Sequence, residues 1–173
     1  MPKLRYAVAG ISLFVCGAVL LSMQDFSESQ PEQQPLARTG AAVVSRVIDG
    51  DTFDIDAAGD ELRVRIIGID TPELGRHGSI DDCYALDARA LLEHYIDGRT
   101  VILSSDSTQG DTDRYGRLLR HVMVDGHDIA VQLLTEGAGR EYLYDRDYVG
   151  RTDHMRAEAT ARSAKAGLWS QCQ

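Results

Sequence analysis

The clearest pattern in the chain is an alternation in which Leu62, Val64 and Ile66 are apolar and Arg63 and Arg65 stand between them. A period of two makes a strand with one buried face and one face carrying both guanidiniums. The apolar run continues through Ile67 and Ile69, so a strand is predicted over 61–69. Upstream, the β-branched run at 43–48 predicts a first strand. Residues 52–56 return from it after Asp49-Gly50, the dipeptide of a tight hairpin. Three antiparallel strands therefore open the domain. Helical spacing takes over at 83–96, where Leu86, Leu91, Leu92, Tyr95 and Ile96 share a face and Gly98 ends the helix. Residues 100–103 and 117–124 predict a fourth and a fifth strand. Asp128 is placed to cap a short helix over 129–136 stopped by Gly137, residues 140–144 are extended, and a last helix is predicted over 152–166. This order predicts an α+β fold, a five-stranded Greek-key barrel of the OB type with about three helices.

Several polar residues fit no plain strand, and they gather at the strand ends. Asp70 and Glu73 bracket Thr71-Pro72, where the proline stops a ladder and keeps Thr71 out of the helical region, so two carboxylates stand on a stiff turn. If the hairpin lays its second strand beside 62–69, Asp51 and Asp70 approach one another, and such a pair needs a cation or a proton between them. Asp113-Arg114-Tyr115-Gly116-Arg117 adds two guanidiniums and a phenol around a glycine, a set suited to an oxyanion or a phosphate. Singly, each motif has a plainer reading: a hairpin turn, a helix entrance capped by Thr71, a strand-face salt bridge. An EF-hand is excluded. Counting from Asp54, Gly59 falls on the sixth loop position, but Ala58 is fifth and Arg65 twelfth, where a bidentate glutamate is required.

In this order, Ile48-Asp49-Gly50-Asp51-Thr52, then Arg65 with Asp70-Thr71-Pro72-Glu73, then 113–117 resemble the staphylococcal nuclease-like (thermonuclease) family, a likeness running over 43–169. The resemblance raises the barrel to the expected fold and implies an endonuclease hydrolysing phosphodiester bonds of DNA and RNA with low sequence specificity. Asp51, Asp70 and the Thr71 carbonyl form an all-oxygen set suited to Ca²⁺, and the resemblance implies the same assignment. It further implies Glu73 as the group that orients or deprotonates the attacking water, Arg65 and Arg117 as a phosphate clamp, and 3′-phosphate products. Arg114, Tyr115, Tyr142 and Tyr144 line the expected substrate path, and Asp49 is a turn residue or a support for Asp51. Arg114 takes a place the family often gives to lysine, which keeps the charge.

Composition changes the picture in three ways. The net charge is −9, and Lys3 and Arg5 are the only charges before Asp25, so the rest is more acidic still. That is the wrong sign for a long tracking groove on a polyanion, and contact at one arginine-lined site plus a metal is expected instead. Residues 6–23 carry no charge after a basic start, the form of a secretory signal or of a membrane anchor over 7–23. Residues 24–40 are rich in Gln, Ser, Glu and Pro and read as a disordered linker, leaving 41–173 as the domain. An exported protein, periplasmic or extracellular, is expected, secreted or membrane-tethered and monomeric. With Cys16 set aside in the apolar run, Cys83 and Cys172 are a disulfide in an oxidising compartment or else two free thiols. Such a bridge closes a long loop worth about 4 kcal/mol in the chain-entropy view. The five histidines show no zinc spacing and read as surface or packing residues. A second reading, from a different class, is a tethered OB module that binds nucleic acid or protein without useful turnover. An assembled acid, base and arginine set argues against it.

Overall fold

The computed structural model describes residues 39–57, 59–75 and 77–172; the predicted leader and nearly all of the linker lie outside the described residues. The first strand, β1 (Thr39–Val47), starts inside the stretch read as linker, because Thr39 to Val43 pair with β5 (Thr100–Ser104). Its second half pairs with β2 (Thr52–Ala57), and the register slips between Val44 and Arg46. Ser45 is the extra residue of this bulge, so Ser45 and Arg46 both face out while Val44 and Val47 both face in.

β2 pairs in register with β3 (Asp60–Ile66), antiparallel as expected. β5 pairs with β6 (Leu118–Val124), and β3 meets β6 in parallel through Val64↔Leu118 and Ile66↔Arg120. That last pairing closes β1, β2, β3, β5 and β6 into a barrel of the OB type, so no long sheet edge is left open. Two short pieces complete the strands: β4 (Ile69–Asp70) and, after the turn from β6, β7 (His127–Asp128).

The alternation seen in the sequence fills the barrel with Val44, Val47, Phe53, Ile55, Val64, Ile66, Val101, Leu103, Val122 and Val124, all buried. Helix α1 (Ala85–Ile96) adds Ala88, Leu92 and Ile96 to this core, and α2 (Ile129–Thr135) adds Ile129, Ala130, Leu133 and Leu134. Asp128 caps α2 as expected, its carboxylate accepting from the N–H groups of Ala130 and Val131. After α2 come β8 (Arg140–Glu141), α3 (Arg151–Ala164) and the short α4 (Leu168–Gln171). Leu86, which helical spacing placed on the apolar face, is 61% exposed; α1 starts at Ala85 rather than Cys83, and Ala85 and Ala88 take the buried positions. Among the described residues no helix is long and apolar enough to cross a membrane.

The predicted third strand is the main correction. It does not run to Ile69 but ends at Ile66, and the chain reverses at Ile67-Gly68 before β4, which pairs with β8 instead of the barrel. Gly68 has φ +83°, and a Cβ there would lie 2.4 Å from Nδ1 of His154 and 2.6 Å from the Tyr148 ring, so backbone conformation and packing both demand glycine.

Candidate active site

The reversal at Gly68 puts Asp70 and the β8 strand at one mouth of the barrel. Asp70 pairs with Arg140, and Tyr142 donates its N–H to the Gly68 carbonyl at 3.2 Å, which carries Tyr142 and Tyr144 to the same rim. Arg65 holds the reversal together. Its Nη1 donates to the carbonyls of Ile66 at 2.8 Å and Ile69 at 2.6 Å, its Nε meets Asp51 Oδ1 at 3.0 Å, and its Nη2 meets Asp70 Oδ1 at 3.0 Å. Asp51 and Asp70 therefore do approach one another, with a guanidinium between them.

Asp51 stands in the turn between β1 and β2. Gly50 is required there for space, since a Cβ would lie 2.7 Å from Thr71 Oγ1 and 2.8 Å from Ala88 Cβ, and its φ is not positive, so the Asp-Gly pair is not the tight two-residue turn expected. The Asp51 carboxylate is buried; its Oδ2 accepts from Thr71 N at 2.9 Å and Thr71 Oγ1 at 3.1 Å, and its Oδ1 accepts from Thr52 Oγ1 at 3.0 Å. Asp49 is buried as well and accepts the Asp51 N–H at 3.2 Å, shaping the turn that aims Asp51.

The turn at 113–117 supplies the opposite wall. Asp113 Oδ1 accepts the N–H groups of Tyr115 at 2.9 Å and Arg117 at 3.0 Å, and Gly116 completes the turn at φ +80°. Asp113 Oδ2 then takes Arg117 Nε at 2.7 Å, while Arg117 Nη1 reaches Thr52 Oγ1 at 3.3 Å. Arg114 stacks 4.8 Å above the Tyr115 ring, exposing a cation at the rim.

Arg65, Asp70, Glu73, Arg114, Tyr115, Arg117, Tyr142 and Tyr144 thus line one cleft, which encloses about 140 Å³. Asp51, Thr71 and Asp49 sit behind it, buried, joined to it through Arg65. Cys83 and Cys172 are bonded. Sequence reasoning missed Asp113 and Thr52, which hold Arg117, and Tyr148, which closes the cleft floor. The Asp113 role had a readable signal, an Asp two residues before an exposed Tyr-Gly turn; that of Tyr148 had none.

The charges in this corner do not balance. Burial, then the charge of Asp51, pushes the Asp49 carboxyl up to about 6. Burial also raises Asp70, the attraction of Arg65 notwithstanding, and Asp51 adds to the rise. Asp113 is the reverse case: burial would raise it, yet the hydrogen bonds from Arg117 and the Tyr115 N–H hold it below the ordinary range. Hard carboxylate oxygens in a corner where burial opposes the ionisation of Asp49 and Asp70 fit a bound divalent cation, which would supply positive charge there. Among the described residues no group of three or more His, Cys, Asp or Glu side chains is placed to hold a metal ion.

Comparison with known proteins agrees with this geometry. The family described as "Staphylococcal nuclease homologue" matches residues 63–171. The thermonuclease of Staphylococcus hyicus is 29% identical over 170 residues, 96% of this chain and 99% of that protein. Two proteins of Bacillus subtilis strain 168 are each 34% identical over 129 residues, 73% of this chain: endonuclease YncB, of which 60% is covered, and the SPbeta prophage-derived endonuclease YokF, of which 43% is covered. With more than half of the chain matched, from within β3 through all of the carboxyl-terminal helices, the chain belongs to the staphylococcal nuclease family.

Proposed function

We propose that the cleft hydrolyses phosphodiester bonds of DNA and RNA with low sequence preference, using Ca²⁺, in an exported protein, and leaves 3′-phosphate ends. The observation that carries this is the convergence of Glu73, Asp70, Arg65 and Arg117 on one cleft. Glu73 takes a proton from the attacking water. Arg65 and Arg117 meet the phosphoryl oxygens as negative charge grows on them, and each is already oriented, Arg65 by two backbone carbonyls and Arg117 by Asp113 and Thr52, so little reorganisation accompanies the reaction. When bound, a Ca²⁺ held by Asp51, Asp70 and the Thr71 carbonyl supplies further positive charge to the same oxygens. The bond to the 5′-oxygen breaks, and the phosphate stays on the 3′ side.

Arg114 with Tyr115, Tyr142 and Tyr144 offers a cation and phenol rings to the neighbouring nucleotide, by contacts that every base provides, which supports low sequence preference. The bonded Cys83 and Cys172 support export to an oxidising compartment, with residues 1–23 as leader or tether and the working domain starting by Thr39.

The test is incubation of the purified protein with single-stranded DNA and with RNA, adding Ca²⁺ or excess chelator, followed by chain length and end-group analysis. Degradation with Ca²⁺ alone, yielding ends that a phosphatase must treat before polymerase extension, is expected. Retained binding with no shortening under either condition would overturn the reading in favour of a binding module.

A further inference from the structure

Glu73 stands between β4 and α1, on a stretch with no regular secondary structure. A base must be held within hydrogen-bond reach of its water, so something outside helix and strand has to fix it. The contacts of Asp82 do this. Its N–H donates to the Glu73 carbonyl at 3.0 Å, and its Oδ2 accepts the Glu73 N–H at 3.1 Å. Both backbone polar groups of Glu73 are therefore taken by one residue nine positions later. Asp81 repeats the device further along the loop, its Oδ1 accepting the Gly75 N–H at 2.8 Å. The chain crosses itself closely here, since a Cβ on Gly75 would lie 2.1 Å from the Ser79 carbonyl oxygen.

Asp82 is itself anchored. Its carbonyl accepts the N–H of Ala85 at the start of α1 at 3.1 Å, and the next residue, Cys83, is bonded to Cys172. Cys172 donates its N–H to Leu168 at 3.0 Å, and Leu168, buried, donates to the Gly137 carbonyl at 3.0 Å. A continuous path of covalent and hydrogen bonds thus runs from the peptide of Glu73 to Gly137, just after α2.

We infer that Asp82 is a positioning residue for Glu73, with the Cys83–Cys172 bridge as its anchor. The inference rests on the hydrolytic reading above. Asp82 is not among the residues that line the cleft; it acts through the residue it clamps.

The test is steady-state cleavage of single-stranded DNA at saturating Ca²⁺ by the wild type, Asp82→Ala, Asp82→Asn, Glu73→Gln and the double variant Glu73→Gln/Asp82→Ala. Amide hydrogen exchange at Glu73 and Gly75 and the thermal unfolding midpoint are followed alongside. Asp82→Ala should lower kcat by about 10- to 100-fold while KM and the Ca²⁺ requirement hold, and should speed exchange at Glu73. Asp82→Asn keeps an acceptor oxygen for the Glu73 N–H and should recover most of the rate. In the Glu73→Gln background the Asp82 change should cost nothing further. Reducing the disulfide should slow the wild type but not Glu73→Gln.

An equal loss from Asp82→Ala in both backgrounds overturns the inference, as does a loss that disappears once the assay is run well below the variant's unfolding midpoint. Unchanged kcat in Asp82→Ala overturns it too. A wild type that fails to cleave overturns the hydrolytic reading first, and this inference with it.

Discussion

Asp51 and Asp54 are two buried aspartates three positions apart, and each faces an arginine of β3, yet the two sites have opposite electrostatics. Asp54 receives Arg63 Nε at 2.7 Å and Arg46 Nη2 at 2.6 Å. Burial would raise Asp54, but these two partners win, and its carboxyl is held below the ordinary range. At Asp51 the count is reversed. Arg65 is shared between Asp51 and Asp70, and Asp49 lies beside them with its carboxyl pushed up to about 6. The first site is a finished ion-pair cluster that has nothing to offer a ligand. The second is short of positive charge inside the fold, which is costly without a ligand and useful with one.

Substitutions at these two sites test the contrast. Arg65→Ala should reduce kcat/KM by about 10²- to 10³-fold and lower stability by about 3 kcal/mol, because it leaves Asp51 buried without its cation. Kinetics and urea unfolding check both parts, and a fall in stability with cleavage intact would break the comparison. Asp49→Asn sharpens it. The folded carboxyl titrates near 6 against an ordinary 3.8, so the folded state holds an extra proton between those values, and stability falls as pH rises from about 4 to about 6. The amide has no such proton. In chelator at pH 7, Asp49→Asn should therefore be more stable than the wild type by up to about 3 kcal/mol, and the gain should shrink when Ca²⁺ is added.

At the finished site the effects are structural alone. Asp54→Asn should cost about 2 kcal/mol, measured by urea unfolding, while the folded fraction cleaves at the wild-type rate. Arg63→Ala should cost about 1 kcal/mol by the same measurement, since Arg46 still serves Asp54, and leave the Ca²⁺ requirement unmoved. Loss of cleavage in either variant would show that the two clusters are one functional unit.

Much of this was legible in the sequence because it is written locally. Period-two alternation marks β3, the return from Asp49-Gly50 marks β2, Asp128 before an apolar run marks the start of α2, and the acidic and basic motifs mark the cleft and its support. What was illegible depends on distant partners. Thr39 to Ala42 have little strand character and become strand through pairing with β5. Ile66-Ile67-Gly68-Ile69 reads as one apolar strand, and only the Arg65 hydrogen bonds and the packing of Tyr148 and His154 on Gly68 reveal the reversal. Arg65 was legible as a charged strand residue, but its bridging of two carboxylates follows from that reversal. Leu86 illustrates the limit of helical spacing: a residue at the edge of an apolar stripe is buried only if another element covers it.

The Cys83–Cys172 bridge makes the chain from α1 to α4 a covalent ring, since the two cysteines are 89 positions apart. A protease that cuts once within this ring, for example at the exposed turn carrying Arg114 and Tyr115, opens it without freeing a fragment. The clipped protein stays in one piece until a reductant arrives, so its lifetime is governed by thiols as much as by peptidases.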